Sequence, residues 1–262
     1  MKRSLAFIVI ILTSITISFA GVVDDAVKRG TLKVGLTPTY MPFEMTNKQG
    51  EIVGFEVDVV KAMAKAMGVK LELIPVSYDG IIPGLLTAKF DLIASGMTIN
   101  QSRNLKVNFT RPFISTGQTL LIRKDLATAI KSYKDLNNEK YKITSQTGTT
   151  GEFIVKKYIS KASYYGYNSE AEAILEVANG RADAFIFDES YNIVALQRLG
   201  KEKLFHLDSL ITVEPIAFAI RKGDYDSINW INNFLNQMKN DGTYDRIYNK
   251  WFKKTDWLQE ME

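Results

Sequence analysis

The 262-residue sequence contains no cysteine, one histidine and six prolines. Without cysteine there can be no disulfide, no thiolate metal site, no cysteine nucleophile and no lipid attached through an N-terminal cysteine. The one histidine, His206, sits in the apolar run Leu204-Phe205-His206-Leu207, a context that favours packing over catalysis. Histidine-base chemistry and a zinc site are therefore poorly supported, and no metal or cofactor is expected. Lysine and arginine number 33 against 29 acidic residues, and no stretch concentrates them enough to suggest nucleic-acid binding.

Long apolar runs are also scarce. The clearest one, Leu5 to Phe19, follows Lys2 and Arg3 and leads into Ser18-Phe19-Ala20, with small residues at the two positions a signal peptidase inspects. Residues 1–20 read as an export signal cleaved after Ala20. The competing reading, a membrane anchor, needs a longer span, and Thr13, Ser14, Thr16 and Ser18 interrupt this one. The mature chain would keep 31 basic and 29 acidic residues, a net charge of +2. A periplasmic protein without a lipid anchor is expected.

The remaining residues alternate strand and helix signals. Thr31 to Leu36, Val69 to Ile74 and Asp91 to Ser95 read as strands. Gly54 to Met67 reads as a helix, with Phe55, Val59, Met63 and Ala66 on one face and Gly68 as its stop; Gly80 to Ala88 reads as another. This βαβ series predicts an α/β fold with a mostly parallel sheet. A weaker copy follows: Leu85 to Ala94 resembles Leu175 to Ile186, each a helix ending at a basic residue two positions before an aspartate that opens a buried strand. Two extended segments, Phe113 to Ile122 and Ile211 to Ile220, carry a Gly or Pro beside β-forming runs. If both cross between lobes, one lobe takes residues 21–115 and 217–262, and the other takes 118–213.

Ligands of open α/β sheets bind beyond the carboxyl ends of the strands, so the polar residues there are the candidate site. Asp91 to Arg103 places Ser95, Thr98, free backbone N–H groups and the Arg103 guanidinium around one point, which suits a carboxylate; a plain strand end with a surface arginine is the alternative. Gln146-Thr147-Gly148-Thr149-Thr150-Gly151 opens a helix whose N-terminus could take an anion, or Thr149 could simply cap it. Asp188 ends the strand Phe185-Ile186-Phe187 before a helix read from Tyr191 to Leu199, either as a helix cap or as a partner for an ammonium group. Tyr40 and Tyr78 lie in loops, where aromatic rings pack or bind.

Taken in order, Tyr40-Met41-Pro42-Phe43-Glu44, Gly54-Phe55-Glu56-Val57-Asp58, Tyr78-Asp79-Gly80-Ile81-Ile82-Pro83, Gly96-Met97-Thr98 with Arg103, Gly148-Thr149-Thr150-Gly151, Ala182-Asp183-Ala184 with Asp188, and Asn240-Asp241-Gly242-Thr243-Tyr244 with Trp251-Phe252 resemble the polar amino-acid branch of the bacterial periplasmic solute-binding proteins. The resemblance implies a two-lobed, type II binding-protein fold hinged by two extended crossovers. It also implies a monomer that captures an L-amino acid and delivers it to an ABC transporter permease. By motif position, Arg103 would fork the ligand carboxylate, with the Thr98 and Thr149 regions donating hydrogen bonds. Asp188 would take the α-ammonium, assisted by Gly96, and Tyr40 and Tyr78 would sandwich the side chain. Thr37, Ser95, Met97, Gln146 and Thr150 would line the specificity end or its approaches.

The likeness leans toward lysine-type binders, but these place an acid where this chain has Thr37, three residues before Tyr40. Glu44, Asp79 or Glu189 would then have to read a cationic tip, and a glutamine binder is the neutral alternative. The enzymatic alternative is a cyclohexadienyl dehydratase of the same fold. A dehydratase of that kind is expected to carry a glutamate three residues after the aspartate, where this chain has Tyr191.

Overall fold

The computed structural model describes residues 21–261, so the expected export signal lies outside the described residues. Among the described residues no helix is long and apolar enough to cross a membrane.

The chain builds two five-stranded sheets of the same plan. In the first, Thr31–Leu36 pairs in parallel with Lys70–Pro75 on one side and with Leu92–Ile93 on the other. Ala219–Ile220 then adds antiparallel and carries Asn108–Phe109 at the edge. In the second, Lys142–Gln146 is the parallel centre between Ser163–Tyr167 and Ala184–Asp188, followed by antiparallel Gln118–Arg123 and Leu204–Leu207. The order in each is set by helical crossovers, which force neighbouring strands to run parallel.

The helix Phe55–Met67 shows how the sequence drives this. Phe55, Val59, Val60 and Met63 recur at helical spacing and are fully buried. Each such side chain stabilises the fold by about 1.5–3 kcal/mol when taken from water. Gly68 ends the helix in the left-handed region at φ 71° and returns its N–H to the Ala64 and Lys65 carbonyls.

The internal likeness is a repeated piece of hydrogen bonding. Asp91 donates its N–H to the Lys33 carbonyl and accepts the Lys33 N–H on its carboxylate at 2.9 Å. Asp183 does the same with Lys142, at 2.8 Å for each bond. In both sheets an aspartate thus clamps the start of its strand to the central one, and Arg29 and Arg123 respectively neutralise it.

Two short segments connect the lobes. Ile114–Thr116 and Glu214–Ile216 pair antiparallel, with Pro215 opposite Ser115, so the chain leaves the first sheet and returns to it through one two-stranded ribbon. The helices Tyr225–Asn240 and Thr243–Tyr248 then pack back on the first lobe. Trp251 Nε1 and Lys250 Nζ both donate to Asp58 at 2.8 Å, and the Phe252 ring meets Phe55 and Phe43 at 5.2 and 5.3 Å.

Three element boundaries differ from the sequence reading. The helix expected from Gly80 to Ala88 spans Ile81–Leu86, and Ala88 at φ 58° turns the chain instead of continuing it. The helix after Asp188 begins at Glu189 rather than Tyr191. The strand expected through Ser95 pairs only over Leu92–Ile93; beyond it the Ser95 hydroxyl and the Gly96 N–H donate to Glu44 and Glu56 instead of to a neighbouring strand.

Candidate functional site

Between the sheets lies a narrow cavity lined by both lobes. The first lobe contributes Thr37, Thr39, Tyr40, Glu44, Tyr78, Ser95, Gly96 and Thr98 to its wall. The second contributes Gln146, Thr149, Thr150, Phe187 and Asp188. Ten of the twelve residues singled out in the sequence are therefore brought together. Met97 is not among them: its side chain is buried in an apolar cluster with Ile81, Leu85 and Phe90, because the chain alternates sides between Gly96 and Thr98.

Arg103 stands just behind this wall. It is 93 % buried, and among the described residues no carboxylate lies within ion-pair distance of it. Its guanidinium donates to the Thr98 carbonyl at 3.0 Å and, across the cleft, to the Gly148 carbonyl at 3.1 Å. It also lies 5.5 Å from the centre of the Tyr78 ring. Two carbonyls do not neutralise a buried cation, so the group is poised for an anion. Across the cleft, the helix Thr150–Tyr158 receives no side-chain cap from Thr149, and first-turn N–H groups have no intrahelical partners, so its N-terminus suits an anion.

Neither capping alternative holds. Thr149 occupies the N-cap position but makes no cap bond and donates its hydroxyl to the Gln146 carbonyl at 2.7 Å. Asp188, at the next N-cap, also makes no cap bond, and its Oδ1 is buried without a hydrogen-bond partner among the described residues. Burial holds the Asp188 carboxyl well above its usual range, and the Glu214 charge adds to this. Tyr40, Arg103 and Gln118 beside it work in the opposite direction. An ammonium group is the natural counter-charge for such a group.

Other predicted residues are committed to the protein. The Thr37 hydroxyl donates to the Val76 carbonyl, and the Gln146 amide donates to the Asn168 carbonyl. The Thr98 and Thr150 hydroxyls both donate to Glu214 Oε2 at 2.7 Å, so these two hydroxyls are engaged inside the protein. Tyr40 stacks on Phe43 at 4.6 Å and meets Phe187 edge-on at 5.3 Å, which fixes its ring in the wall.

Sequence reading missed Thr39, Phe187, Glu56, Glu170 and Glu214, and left Glu44 as one of three acids. Asp79 is exposed and Glu189 lies outside the cavity wall, whereas Glu44 is fully buried in it. Ser95 Oγ donates to Glu44 Oε1 at 2.8 Å, and Oε2 has no hydrogen-bond partner among the described residues. Behind it, Glu56 Oε2 accepts the Gly96 N–H at 3.0 Å. Glu170 accepts the Thr39 hydroxyl from the opposite lobe at 2.9 Å, and burial pushes its carboxyl up to about 7. An acid inside an apolar run was the available signal: Glu214 sits in Ile211 to Ile220, and Glu56 two residues after Gly54.

His206 plays no part in the cavity. Its Nε2 bonds Thr119 Oγ1 at 2.9 Å, and burial lowers its affinity for a proton.

Comparison with known proteins agrees with this architecture. A binding component of an ABC transporter from Wolinella succinogenes, solved in complex with lysine, superposes with a TM-score of 0.85 at 51 % identity, covering 88 % of this chain and 99 % of that one. The ancestral amino acid-binding protein AncCDT-1, a precursor of cyclohexadienyl dehydratase, gives a TM-score of 0.83 at 46 % identity over 88 % of this chain and 99 % of its own. The ABC transporter glutamine-binding protein of Bacillus subtilis is 32 % identical over 209 residues, 78 % of this chain and 74 % of the relative. The family model matches residues 32–254, from the first strand to the aromatic C-terminal turn, and the chain belongs to the bacterial extracellular solute-binding proteins, family 3.

Proposed function

We propose that this protein binds an L-amino acid with a cationic side chain, lysine first and arginine or ornithine next, and delivers it from the periplasm to an ABC permease as a monomer. The observation that carries the reading is the charge of the cleft. Glu44, Glu56, Glu170, Asp188 and Glu214 are all buried at or behind the cavity, and Arg103 is the basic group among them. The head group of any amino acid is balanced by Arg103 for its carboxylate and Asp188 for its ammonium. Glu44 is then left over, fully buried with one oxygen unpartnered among the described residues, and a cationic tip satisfies it. Glu44 thus takes the role that Thr37 leaves unfilled, while Tyr40 and Tyr78 cover the aliphatic stem. The lysine complex of the Wolinella succinogenes relative supports this choice.

In this reading residues 21–115 and 217–262 form one lobe and 118–213 the other, and the ribbon of Ile114–Thr116 and Glu214–Ile216 is the hinge. Calorimetry with lysine, arginine, ornithine and glutamine tests the assignment. Lysine is expected to bind tightest, and glutamine binding more tightly than lysine would overturn the cationic reading.

A dehydratase is the second reading, favoured by the likeness to AncCDT-1 and by buried carboxyls able to hold a proton. Against it, the position where that chemistry is expected to carry a glutamate holds Tyr191, buried among Phe185 and Phe187. Incubation with prephenate and arogenate is expected to yield no product; turnover would replace the transport reading.

A further inference from the structure

We infer that Glu214 is a positioning residue for ligand capture: its carboxylate, buried at the hinge, takes hydroxyls from both lobes and holds the Arg103 side of the cleft against the helix N-terminus that faces it. This rests on the two-lobed reading in the proposed function and adds to it the group that keeps the lobes together.

Glu214 opens the second strand of the ribbon that joins the lobes, opposite Thr116, and is only 3 % exposed. Its Oε2 accepts the Thr98 hydroxyl from the first lobe and the Thr150 hydroxyl from the second, each at 2.7 Å. Its Oε1 accepts the Thr212 hydroxyl at 2.9 Å, and Thr212 Oγ1 in turn accepts the Gln118 N–H at 3.1 Å. Among the described residues no lysine or arginine lies within ion-pair distance of Glu214. A buried carboxylate without a cation is held by its hydrogen bonds, so the loss of any of these hydroxyls is costly.

The backbone decides which partner moves when the cleft opens. Thr98 pairs with Ile216, the Ile99 N–H donates to the Pro215 carbonyl at 2.8 Å, and the Ala217 N–H donates to the Met97 carbonyl at 3.2 Å. Glu214 is thereby anchored to the first lobe, and the bond that opening breaks is the one from Thr150.

Arg103 bridges the same two segments from the cleft side, donating to the Thr98 carbonyl and to the Gly148 carbonyl. A guanidinium that turns to fork a ligand carboxylate gives up part of that bridge. Glu214 stands outside the cavity wall and keeps Thr98 and Thr150 together while Arg103 changes partners. Thr150 opens the helix Thr150–Tyr158, so the same bond holds that N-terminus toward the carboxylate. Closure is therefore favoured before ligand arrives, and the closed fraction sets the apparent affinity.

The test is made on ligand-free protein. The chain has no cysteine, so Lys106→Cys and Lys157→Cys, at exposed positions in the two lobes, take spin labels cleanly, and pulsed EPR reads the distance between them. Thr150→Val keeps the side chain's shape and leaves Glu214 the Thr98 and Thr212 hydroxyls. It is expected to lower the ratio of closed to open molecules about tenfold, the effect of losing one hydrogen bond to a charged group. Thr150→Ser should restore the ratio, and lysine, arginine and glutamine should all lose about the same affinity with Thr150→Val, mainly through faster dissociation. A contact between Thr150 and the bound amino acid could not shift the ligand-free distances, so unchanged distances in Thr150→Val overturn the inference whatever its affinity. In a Glu214→Leu background Thr150→Val should have no further effect; a further shift overturns the role of Glu214, and if Glu214→Leu does not fold, the single variants at Thr150 decide. Failure of the wild-type protein to bind any amino acid, with the ligand-free shift intact, overturns the proposed function and supports the bond from Thr150 to Glu214 on its own.

Discussion

Gly96 lies flat against the ring of Tyr40: a Cβ built on it would fall 2.6 Å from Tyr40 Cδ1, and Gly96 itself adopts φ 53°, in the left-handed region. The residue that donates to Glu56 is thus also the floor on which one aromatic wall of the cavity rests.

Gly96→Ala is expected to destabilise the protein by about 1–3 kcal/mol, the usual range for overpacking a filled site. Tyr40 cannot yield freely, since Phe43 and Phe187 hold it from the other sides. Urea unfolding should register the loss, and lysine affinity should fall with it as the ring is pushed into the cavity. Wild-type stability in the variant would contradict this packing.

Arg103→Ala should fold normally and lose ligand affinity by more than about thirtyfold, which corresponds to about 2 kcal/mol. Arg103→Lys should recover little, because one ammonium cannot hold the Thr98 and Gly148 carbonyls and also fork a carboxylate. Affinity within a few-fold of wild type in either variant would remove Arg103 from the site.

Asp188→Asn separates binding from structure. Asp188 makes no cap bond to its helix, so the substitution should leave thermal stability nearly unchanged while binding falls strongly. Parallel loss of both, seen by calorimetry and thermal melting, would return Asp188 to a structural role.

Glu170 predicts a pH effect on stability. Folded, it keeps its proton up to about pH 7, whereas the unfolded chain loses it near 4.5. The folded state therefore holds the extra proton between these values, stability falls as pH rises through that window, and the cost is constant above it. Glu170→Gln should remove this slope and stabilise the protein at pH 8 by about 1–3 kcal/mol, with Thr39 still able to donate to the amide oxygen. Chemical unfolding at pH 5 and pH 8 decides; an unchanged difference between the two would show that Glu170 does not titrate there.

Much of this protein was legible from residue order. Helical spacing in Phe55–Met67, the glycine stop at Gly68 and the paired aspartates Asp91 and Asp183 specify local structure through nearest-neighbour geometry, and the βαβ order then dictates parallel pairing. The polar strand ends at Ser95 and Asp188 marked where a cleft would lie, for the same reason. Element ends were less legible. Ala88 gives no hint of its left-handed backbone, and Asp188 looks like a cap until its carboxylate is seen to make no cap bond.

What the sequence could not supply was the environment of each acid. Glu44, Asp79 and Glu189 are chemically alike, and no spacing rule ranks them; the fold buries the first and leaves the second exposed. Glu56, Glu170 and Glu214 became visible as functional groups only when segments 40, 131 and 116 residues apart met at Gly96, Thr39 and Thr98. Local periodicity is a property of neighbours along the chain and survives in the sequence. Desolvation and the balance of charge in a cleft are properties of neighbours in space, and the tertiary structure alone decided them.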